Sequence, residues 1–167
     1  MEESSAELII RDFLIPNIIP NLYNKIKTIA AKGVNDLESR VNDFNRLFVF
    51  IHTNSIYYRK AWVIADGDLA GKECISKLQK QFNKWPKEHF KNFKKKDFEE
   101  YYPKRFSKKV KSVLEIEHGK KKQEAKSELL EEVMQWSLKN RDEAISEFKL
   151  SAKEVIDLLK KIDIKMK

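Results

Sequence analysis

The sequence predicts an α/β protein with a small parallel sheet flanked by helices and a C-terminal helical appendage. Three observations lead to this prediction. Residues 62–65 form a short apolar run, which is typical of a strand buried on both faces. Apolar residues at helical spacing occur on either side of it, over residues 35–53 and 69–82. Residues 123–162 then keep helical spacing without a further strand, which predicts a purely helical segment after the parallel unit.

Local signals predict the remaining elements. Ser4 begins a helix that Pro16 interrupts. Residues 26–31 contain β-branched side chains and stop at Gly33, which is typical of a strand. Further elements are expected at three places: a strand over residues 90–93, a helix over 103–114, and two helical pieces over 144–162 that meet near residues 150 and 151.

Composition excludes several classes of protein. A chain of 167 residues with 41% hydrophobic content fits one domain with a small appendage. No apolar run approaches the roughly 20 residues of a membrane span, and the acidic start is unlike a signal peptide. Cys74 is the only cysteine, which excludes a disulfide framework and a cysteine-based zinc site. These observations together favour a cytoplasmic protein. A glycine-rich phosphate loop is also missing, so we do not expect the chain to be an NTPase by itself.

The net charge of +8 is concentrated in one stretch. Residues 84–122 carry 14 Lys/Arg against 6 Asp/Glu, which accounts for the whole excess. A localised basic stretch is expected of a protein that binds a polyanion, most simply nucleic acid, and the alternative is a solvated lysine-rich surface. The candidate contacts to nucleic acid are Lys94, Lys95, Lys96, Lys104, Arg105, Lys108, Lys109, Lys120 and Lys121.

The strongest chemical signal follows the apolar run at 62–65. Asp66 and Asp68 flank Gly67 directly before the next helix. Residues two apart in an extended segment point to the same side, so both carboxylates can converge on one cation. Gly67 can take a backbone angle that other residues avoid, which permits a tight turn. Carboxylates at the C-terminal end of a buried strand suit Mg²⁺ or Mn²⁺, and the alternative is a loop in which they cap the next helix.

A second acidic cluster lies within the basic stretch. Asp97 and Glu99 again sit two residues apart, directly after the lysines at 94–96. Surface ion pairs with these lysines are the alternative to a functional role. The residues alone leave both interpretations open.

Residues 63–72 resemble the Asp-x-Asp-x-x-Gly signature of Toprim domains, which topoisomerases, primases and certain nucleases share. The acidic start at residues 3–7 is similar to the glutamate motif of the overcoming-lysogenisation-defect (OLD) nucleases. In this chain Ser4 stands where that motif has glycine, and Glu2 competes with Glu3 for the position of the glutamate.

Two further positions extend the resemblance to OLD nucleases. Asp97 and Glu99 resemble an additional acidic motif of that family. Lys122 stands where these nucleases carry a basic residue before a helix, with Lys121 and Lys126 as near alternatives. The resemblance covers about residues 3–130.

The resemblance implies a metal-dependent DNA nuclease that uses two Mg²⁺ or Mn²⁺ ions. The implied ligands are all carboxylates: Glu3, Asp66 and Asp68 for the first ion, and Glu7, Asp97 and Glu99 for the second. The implied catalytic residues are Glu3, Asp66, Asp68 and Lys122, with the lysine offsetting charge that develops on the phosphate.

The resemblance also implies a domain division and partners. We expect a Toprim-like catalytic domain over residues 1–122 and a helical appendage over 123–167. In the family a Toprim domain follows an ABC-type ATPase domain, and this chain is expected to lack that domain and the first Toprim strand. The expected partners are DNA and such an ATPase, in the parent polypeptide or separate, in bacterial or phage defence. No membrane association is expected, and homo-oligomerisation stays open.

Two other functions remain compatible with the sequence. A non-catalytic Toprim-like module would bind nucleic acid without a complete metal site. A phosphatase of the haloacid-dehalogenase type also carries Asp-x-Asp after a strand, with the first Asp as nucleophile. Its usual Thr or Val two residues further on is Ala70 here, followed by Gly71, which speaks against that class.

Overall fold

A computed structural model describes residues 1–57, 60–117 and 119–166 of the chain. The structure is 70% helical and contains a small open sheet of two parallel strands, which agrees with the predicted α/β class at this level. Its helices are α1 (Ser4–Ile9), α2 (Ile15–Ile18), α3 (Val34–Phe50), α4 (Asn54–Tyr57), α5 (Leu69–Gln81), α6 (Ser107–Leu114), α7 (Lys120–Lys139), α8 (Arg141–Ser151) and α9 (Lys153–Lys165). The strands are β1 (Val63–Ala65) and β2 (Phe90–Asn92).

Shorter helical turns connect several of these elements. A π-helical stretch over Ile10–Leu14 joins α1 to α2. Turns of 3₁₀-helix cover Pro20–Leu22, Lys87–His89, Phe98–Tyr101 and Lys104–Phe106.

The chain forms two compact units that each contain two segments. The first unit consists of Met1–Ser4 and Ile29–Lys96, and the second consists of Ser5–Thr28 and Asp97–Lys167. The boundary expected between residues 122 and 123 falls inside the second unit. Residues 97–122 therefore group with the C-terminal helices rather than with the sheet.

The sheet lies in the first unit. β1 pairs with β2 in parallel, with Val63 opposite Phe90 and Ala65 opposite Asn92. All three residues of β1 are buried, as the apolar run predicts. The backbone N–H of Phe93 donates to the carbonyl oxygen of Ala65 at 2.9 Å and continues the pairing beyond β2.

The first two residues of the chain pair with β1 from its other side. The backbone N–H of Glu2 donates to the carbonyl oxygen of Ile64 at 3.1 Å. Met1 instead bonds to residues 29–31. Its ammonium group donates to the carbonyl oxygen of Ile29 at 2.7 Å, and its carbonyl oxygen accepts from the backbone N–H of Ala31 at 2.8 Å. Met1 and Glu2 thus lie between β1 and residues 29–31 in a strand-like position.

The strand predicted over residues 26–31 is not formed as a regular element. Lys32 and Gly33, with φ angles of 71° and 135°, then turn the chain into α3. The predicted β-branched run therefore pairs through a few backbone bonds and ends where the glycine was expected to end it.

The core of the first unit is made by the strands, α3 and α5. Helix α5 packs against both strands and against α3. The buried residues of this core are Ala31, Leu37, Val41, Val63, Ala65, Ile75, Leu78, Phe82, Trp85 and Phe90.

The second unit is helical. Phe13 packs against Phe148 with ring centroids 5.1 Å apart, and both side chains are fully buried. Helices α6 to α9 pack in sequence, each against the next or against the turn before it. Tyr101 anchors the 3₁₀ turn to the C-terminal helices, because its carbonyl accepts from the hydroxyl of Ser151 at 2.9 Å and its own hydroxyl donates to Glu154.

Candidate metal and nucleic-acid site

The loop after β1 presents the two carboxylates that the sequence predicts as metal ligands. Asp66 is the first residue after β1 and is 4% exposed. Asp68 is the N-cap of α5, and its Oδ1 accepts a hydrogen bond from the backbone N–H of Gly71 at 2.7 Å. The capping role that the sequence left as an alternative is therefore present at Asp68, where it engages one of the two carboxylate oxygens.

Gly67 is required by a close approach of two backbone segments. A Cβ atom on Gly67 would lie 2.4 Å from the carbonyl oxygen of Phe93 and 2.5 Å from that of Lys95. The N–H of Gly67 also donates to the carbonyl of Lys95 at 2.9 Å. The glycines with positive φ among the described residues are Gly33 and Gly119, so the expectation of a special backbone angle at Gly67 is wrong. Glycine is needed there for space.

Two residues outside the Asp pair hold the backbone of Asp66. Gly71 allows the first turn of α5 to approach, since a Cβ there would lie 2.4 Å from the carbonyl oxygen of Asp66. The Nδ2 of Asn92, at the end of β2, donates to that same carbonyl oxygen at 2.9 Å. Sequence reasoning missed Asn92, because its contact depends on the pairing of β1 with β2.

The acidic residue beside Asp66 is Glu2. Its Oε2 accepts a hydrogen bond from the backbone N–H of Asp66 at 3.0 Å, and Glu2 is 8% exposed. Glu3, the residue preferred from the motif, is only partly buried. The structure thus brings Glu2, the competing candidate for the motif glutamate, to the loop of the Asp pair.

Glu7 is held by other side chains of the second unit. Its two carboxylate oxygens accept from Nη1 of Arg11 at 2.9 and 3.1 Å. The hydroxyl of Thr28 donates to Glu7 Oε1 at 2.5 Å. Hydrogen bonding to Asp12 and the nearby carboxylate of Glu7 raise the pKa of Arg11, so this guanidinium stays charged.

Asp97 and Glu99 meet on one lysine. The Nζ of Lys126 lies 3.1 Å from Asp97 Oδ1 and 3.0 Å from Glu99 Oε2. Glu99 is fully buried, and the side chain of Lys126 is 17% exposed. The backbone N–H of Asp97 also donates to Glu100 Oε1 at 3.2 Å and fixes the start of the 3₁₀ turn.

Lys122 contacts a backbone carbonyl. Its Nζ donates to the carbonyl oxygen of Leu114 at 2.7 Å, so it satisfies a backbone group at the end of α6. Lys121 is exposed on α7. Of the three lysines considered for this role, Lys126 is the one that contacts Asp97 and Glu99.

Several of the cations proposed to bind nucleic acid form ion pairs within the second unit. Arg105 lies 2.9 Å from Glu143 and stacks over Trp136 at 4.3 Å from the ring centroid. The other such pairs are Lys109 with Glu132 at 2.5 Å and Lys120 with Glu124 at 3.6 Å. Lys104, Lys108 and Lys121, also proposed to bind nucleic acid, are exposed as well.

The lysines at 94–96 lie in the first unit next to the Asp loop. Their segment contributes the backbone carbonyls that approach Gly67, and the side chains of Lys94 and Lys96 are exposed. Lys95 is partly buried. The close contact at Gly67 therefore fixes this basic run beside Asp66 and Asp68.

The donor set of the Asp loop fits a hard divalent cation that takes its other ligands from elsewhere. Mg²⁺ is usually held by one or two carboxylates, with water and substrate phosphate completing an octahedron. Asp66 and Asp68 can supply such carboxylates, and Glu2 is the nearest further acid that a hydrogen bond ties to the loop. Across the described ranges, no group of three or more His, Cys, Asp or Glu side chains is arranged to hold a metal ion by protein ligands alone.

Comparison of the chain with protein-family models, curated proteins and solved structures finds no match. In residues 1–57, 60–117 and 119–166, no helix has both the length and the hydropathy needed to span a membrane.

Proposed function

We propose that this chain is a divalent-metal-dependent nuclease domain that hydrolyses phosphodiester bonds of DNA. The observation that supports it most is the loop Asp66–Gly67–Asp68 at the end of a buried parallel strand, with Glu2 bonded to Asp66. The resemblance to Toprim domains of OLD nucleases implies an acid beside this Asp pair, at Glu3 by the motif, and Glu2 takes that place in the proposal. Mg²⁺ or Mn²⁺ is the metal suited to these oxygen ligands.

The residues of the chain would share the work in a simple way. Asp66 and Asp68, with Glu2 beside them, would hold the ion, which acts as a Lewis acid toward a phosphodiester when bound. Hydrogen bonds from Asp66 N–H to Glu2 and from Asn92 to the Asp66 carbonyl hold the backbone of Asp66, and the bond from Gly71 orients the carboxylate of Asp68. The loop is therefore ordered before the ion arrives, and binding of the ion does not have to offset the entropy of ordering the loop.

The lysines at 94–96 are proposed to hold the DNA backbone next to this loop. Contacts of lysine with phosphate carry no sequence information and make affinity depend on salt. Lys104, Lys108 and Lys121 are further candidates, since they are exposed cations of the basic stretch. The proposed partners are DNA and an ABC-type ATPase, in the parent polypeptide or as a separate chain, with a role in bacterial or phage defence in the cytoplasm.

Two observations favour a second candidate, a non-catalytic module that binds nucleic acid. Within the part of the chain described, no metal-binding group of three protein side chains is present, and Asp68 already caps α5. In that case the Asp loop would be a rigid structural turn, and the lysines would act alone.

Supercoiled plasmid incubated with Mg²⁺, Mn²⁺ or EDTA tests the proposal. The nuclease account expects nicked or linear product with a divalent ion and none with EDTA. DNA binding without any cleavage in all three would favour the non-catalytic module. Turnover of p-nitrophenyl phosphate in the same buffers, without plasmid cleavage, would instead favour a phosphatase.

A further inference from the structure

The carboxylates implied as ligands of a second metal ion share a feature in the structure. Each of them contacts a basic side chain of the same unit: Glu7 contacts Arg11, and Asp97 and Glu99 both contact Lys126. In the Asp loop, Glu2 and Asp68 accept hydrogen bonds from backbone N–H groups.

We infer that Asp97 and Glu99 form a permanent binding site for the Lys126 ammonium group and are not ligands of a second metal ion. This inference rests on the proposed function in one respect, since it leaves the nuclease with a single metal site at Asp66 and Asp68. It disagrees with the two-ion arrangement that the resemblance implies.

Burial is the first step of the argument. Glu99 is fully buried, and an ionised carboxylate removed from water requires a compensating charge. Lys126 supplies it at 3.0 Å, and its own side chain is 17% exposed. Asp97 adds a second carboxylate at 3.1 Å on the partly exposed side of the same ammonium. Lys126 is thus bound by two acids that come from one short 3₁₀ turn.

Geometry is the second step. A Mg²⁺ ion approaches its oxygen ligands to about 2.0–2.1 Å. An ion at that distance from Asp97 Oδ1 or Glu99 Oε2 would share those oxygens with Lys126 Nζ, which lies 3.0–3.1 Å from them. Positive charges so close together repel strongly in a poorly solvated site. The metal could enter only if the lysine left and its ion pairs were lost.

The position of Lys126 gives the third step. Lys126 lies on α7, whereas Asp97 and Glu99 belong to the turn that precedes α6. The ion pairs therefore join two elements of the second unit that are far apart in sequence. A cation with this task is needed whether or not metal or DNA is present.

Thermal unfolding in EDTA tests this assignment without any metal. Lys126→Met leaves Glu99 as an uncompensated buried charge, and we expect the melting temperature to fall by about 10 °C. In the double variant with Lys126→Met and Glu99→Gln, the melting temperature should fall by clearly less than the sum of the two single decreases. If Lys126→Met fails to fold, Lys126→Arg is measured instead. This variant keeps the charge, and we expect it to retain most of the stability. Lys139→Met, an exposed lysine of the same helix, is the matched control and should change little.

Calorimetric titration with Mn²⁺ completes the test. We expect one Mn²⁺ per chain, with the same stoichiometry in Asp97→Asn and Glu99→Gln and loss of binding in Asp66→Asn. A second Mn²⁺ that disappears in Glu99→Gln, or additive effects of the changes at 126 and 99 on stability, would overturn the assignment. Absence of any Mn²⁺ binding by the wild type would instead refute the proposed nuclease, while the coupling between residues 126 and 99 would still decide the role of Lys126.

Discussion

The carboxylate of Glu2 accepts a hydrogen bond from the backbone N–H of Asp66 at 3.0 Å, while the backbone N–H of Glu2 donates to Ile64 at 3.1 Å. Glu2 thus lies beside β1 and bonds to it through both its backbone N–H and its side chain. A buried acid is thereby fixed next to the first ligand of the proposed metal site.

Glu2 and Glu3 should differ in their effect on metal binding. Glu2→Gln keeps an acceptor for the N–H of Asp66 but removes a negative charge beside the ion. We expect Mn²⁺ affinity to fall by about 10- to 100-fold with little change in stability. Glu3→Gln should leave the affinity nearly unchanged, and calorimetry of both variants is the measurement. A larger loss of affinity in Glu3→Gln than in Glu2→Gln would assign the role of the motif glutamate to Glu3.

Two changes at Asp68 separate its role as a cap from its role as a ligand. Asp68→Asn can still accept the hydrogen bond from Gly71, so we expect normal stability but weakened Mn²⁺ binding. Asp68→Ala loses the cap as well and should lower the free energy of unfolding by about 1 kcal/mol. Urea denaturation in EDTA measures the stability of both. Equal stability of the two variants would show that the cap contributes nothing.

Gly67→Ala should destabilise the first unit. The added Cβ would meet the carbonyl oxygens of Phe93 and Lys95 at 2.4 and 2.5 Å, and both are backbone atoms that cannot rotate away. We expect the free energy of unfolding to fall by about 1–3 kcal/mol. Leu69→Ala, at an exposed position in the first turn of α5, is the control and should stay within about 0.5 kcal/mol of the wild type. Wild-type stability of Gly67→Ala would contradict the close approach.

The cations of the second unit should separate into structural and DNA-contacting groups. Arg105 pairs with Glu143 and stacks on Trp136, so Arg105→Ala should cost about 1 kcal/mol of stability and leave the salt dependence of DNA binding unchanged. Lys104 and Lys108 are exposed, and their joint replacement by Ala should reduce the slope of log affinity against log salt by up to about two. Fluorescence anisotropy at several salt concentrations gives the slope. The reverse pattern would place Arg105 on the DNA.

The Asp loop could be predicted from the sequence because its signals are local. An apolar run, two acids around a glycine and a helical pattern lie within a few residues of each other, and the structure contains β1, the loop and α5 in that order. The role of Gly67 could not be predicted correctly, because the atoms that crowd it belong to residues 93–95. Local sequence reports a tight turn but not which backbone lies across it.

Sequence alone also does not decide which of two nearby residues of the same type makes a given contact. Glu2 and Glu3 are adjacent, and adjacent residues in an extended segment face opposite sides, so only the partner strand decides which one meets Asp66. Lys122 and Lys126 lie one helical turn apart on the same face of α7, and only the position of Asp97 and Glu99 separates them.

A count of charges along the sequence likewise does not show which cations form ion pairs within the protein. The basic stretch was visible as an excess of lysine and arginine, but the partners of Arg105 and Lys109 lie on α8 and α7, well beyond the stretch in sequence. The sequence does not distinguish a lysine that pairs within its own unit from one that is available to phosphate, because the difference depends on how the helices pack.

The most direct test of a metal-dependent nuclease at Asp66 compares cleavage at equal occupancy of DNA. Supercoiled plasmid would be incubated in Mn²⁺ with the wild type, with Asp66→Asn and with Asp157→Asn, an exposed acid on α9 that serves as control. Protein concentrations would be set from binding curves so that each sample has the same bound fraction. We expect nicked or linear plasmid with the wild type and with Asp157→Asn, and none with Asp66→Asn. Cleavage by Asp66→Asn at the wild-type rate, or wild-type cleavage that persists in EDTA, would contradict the account.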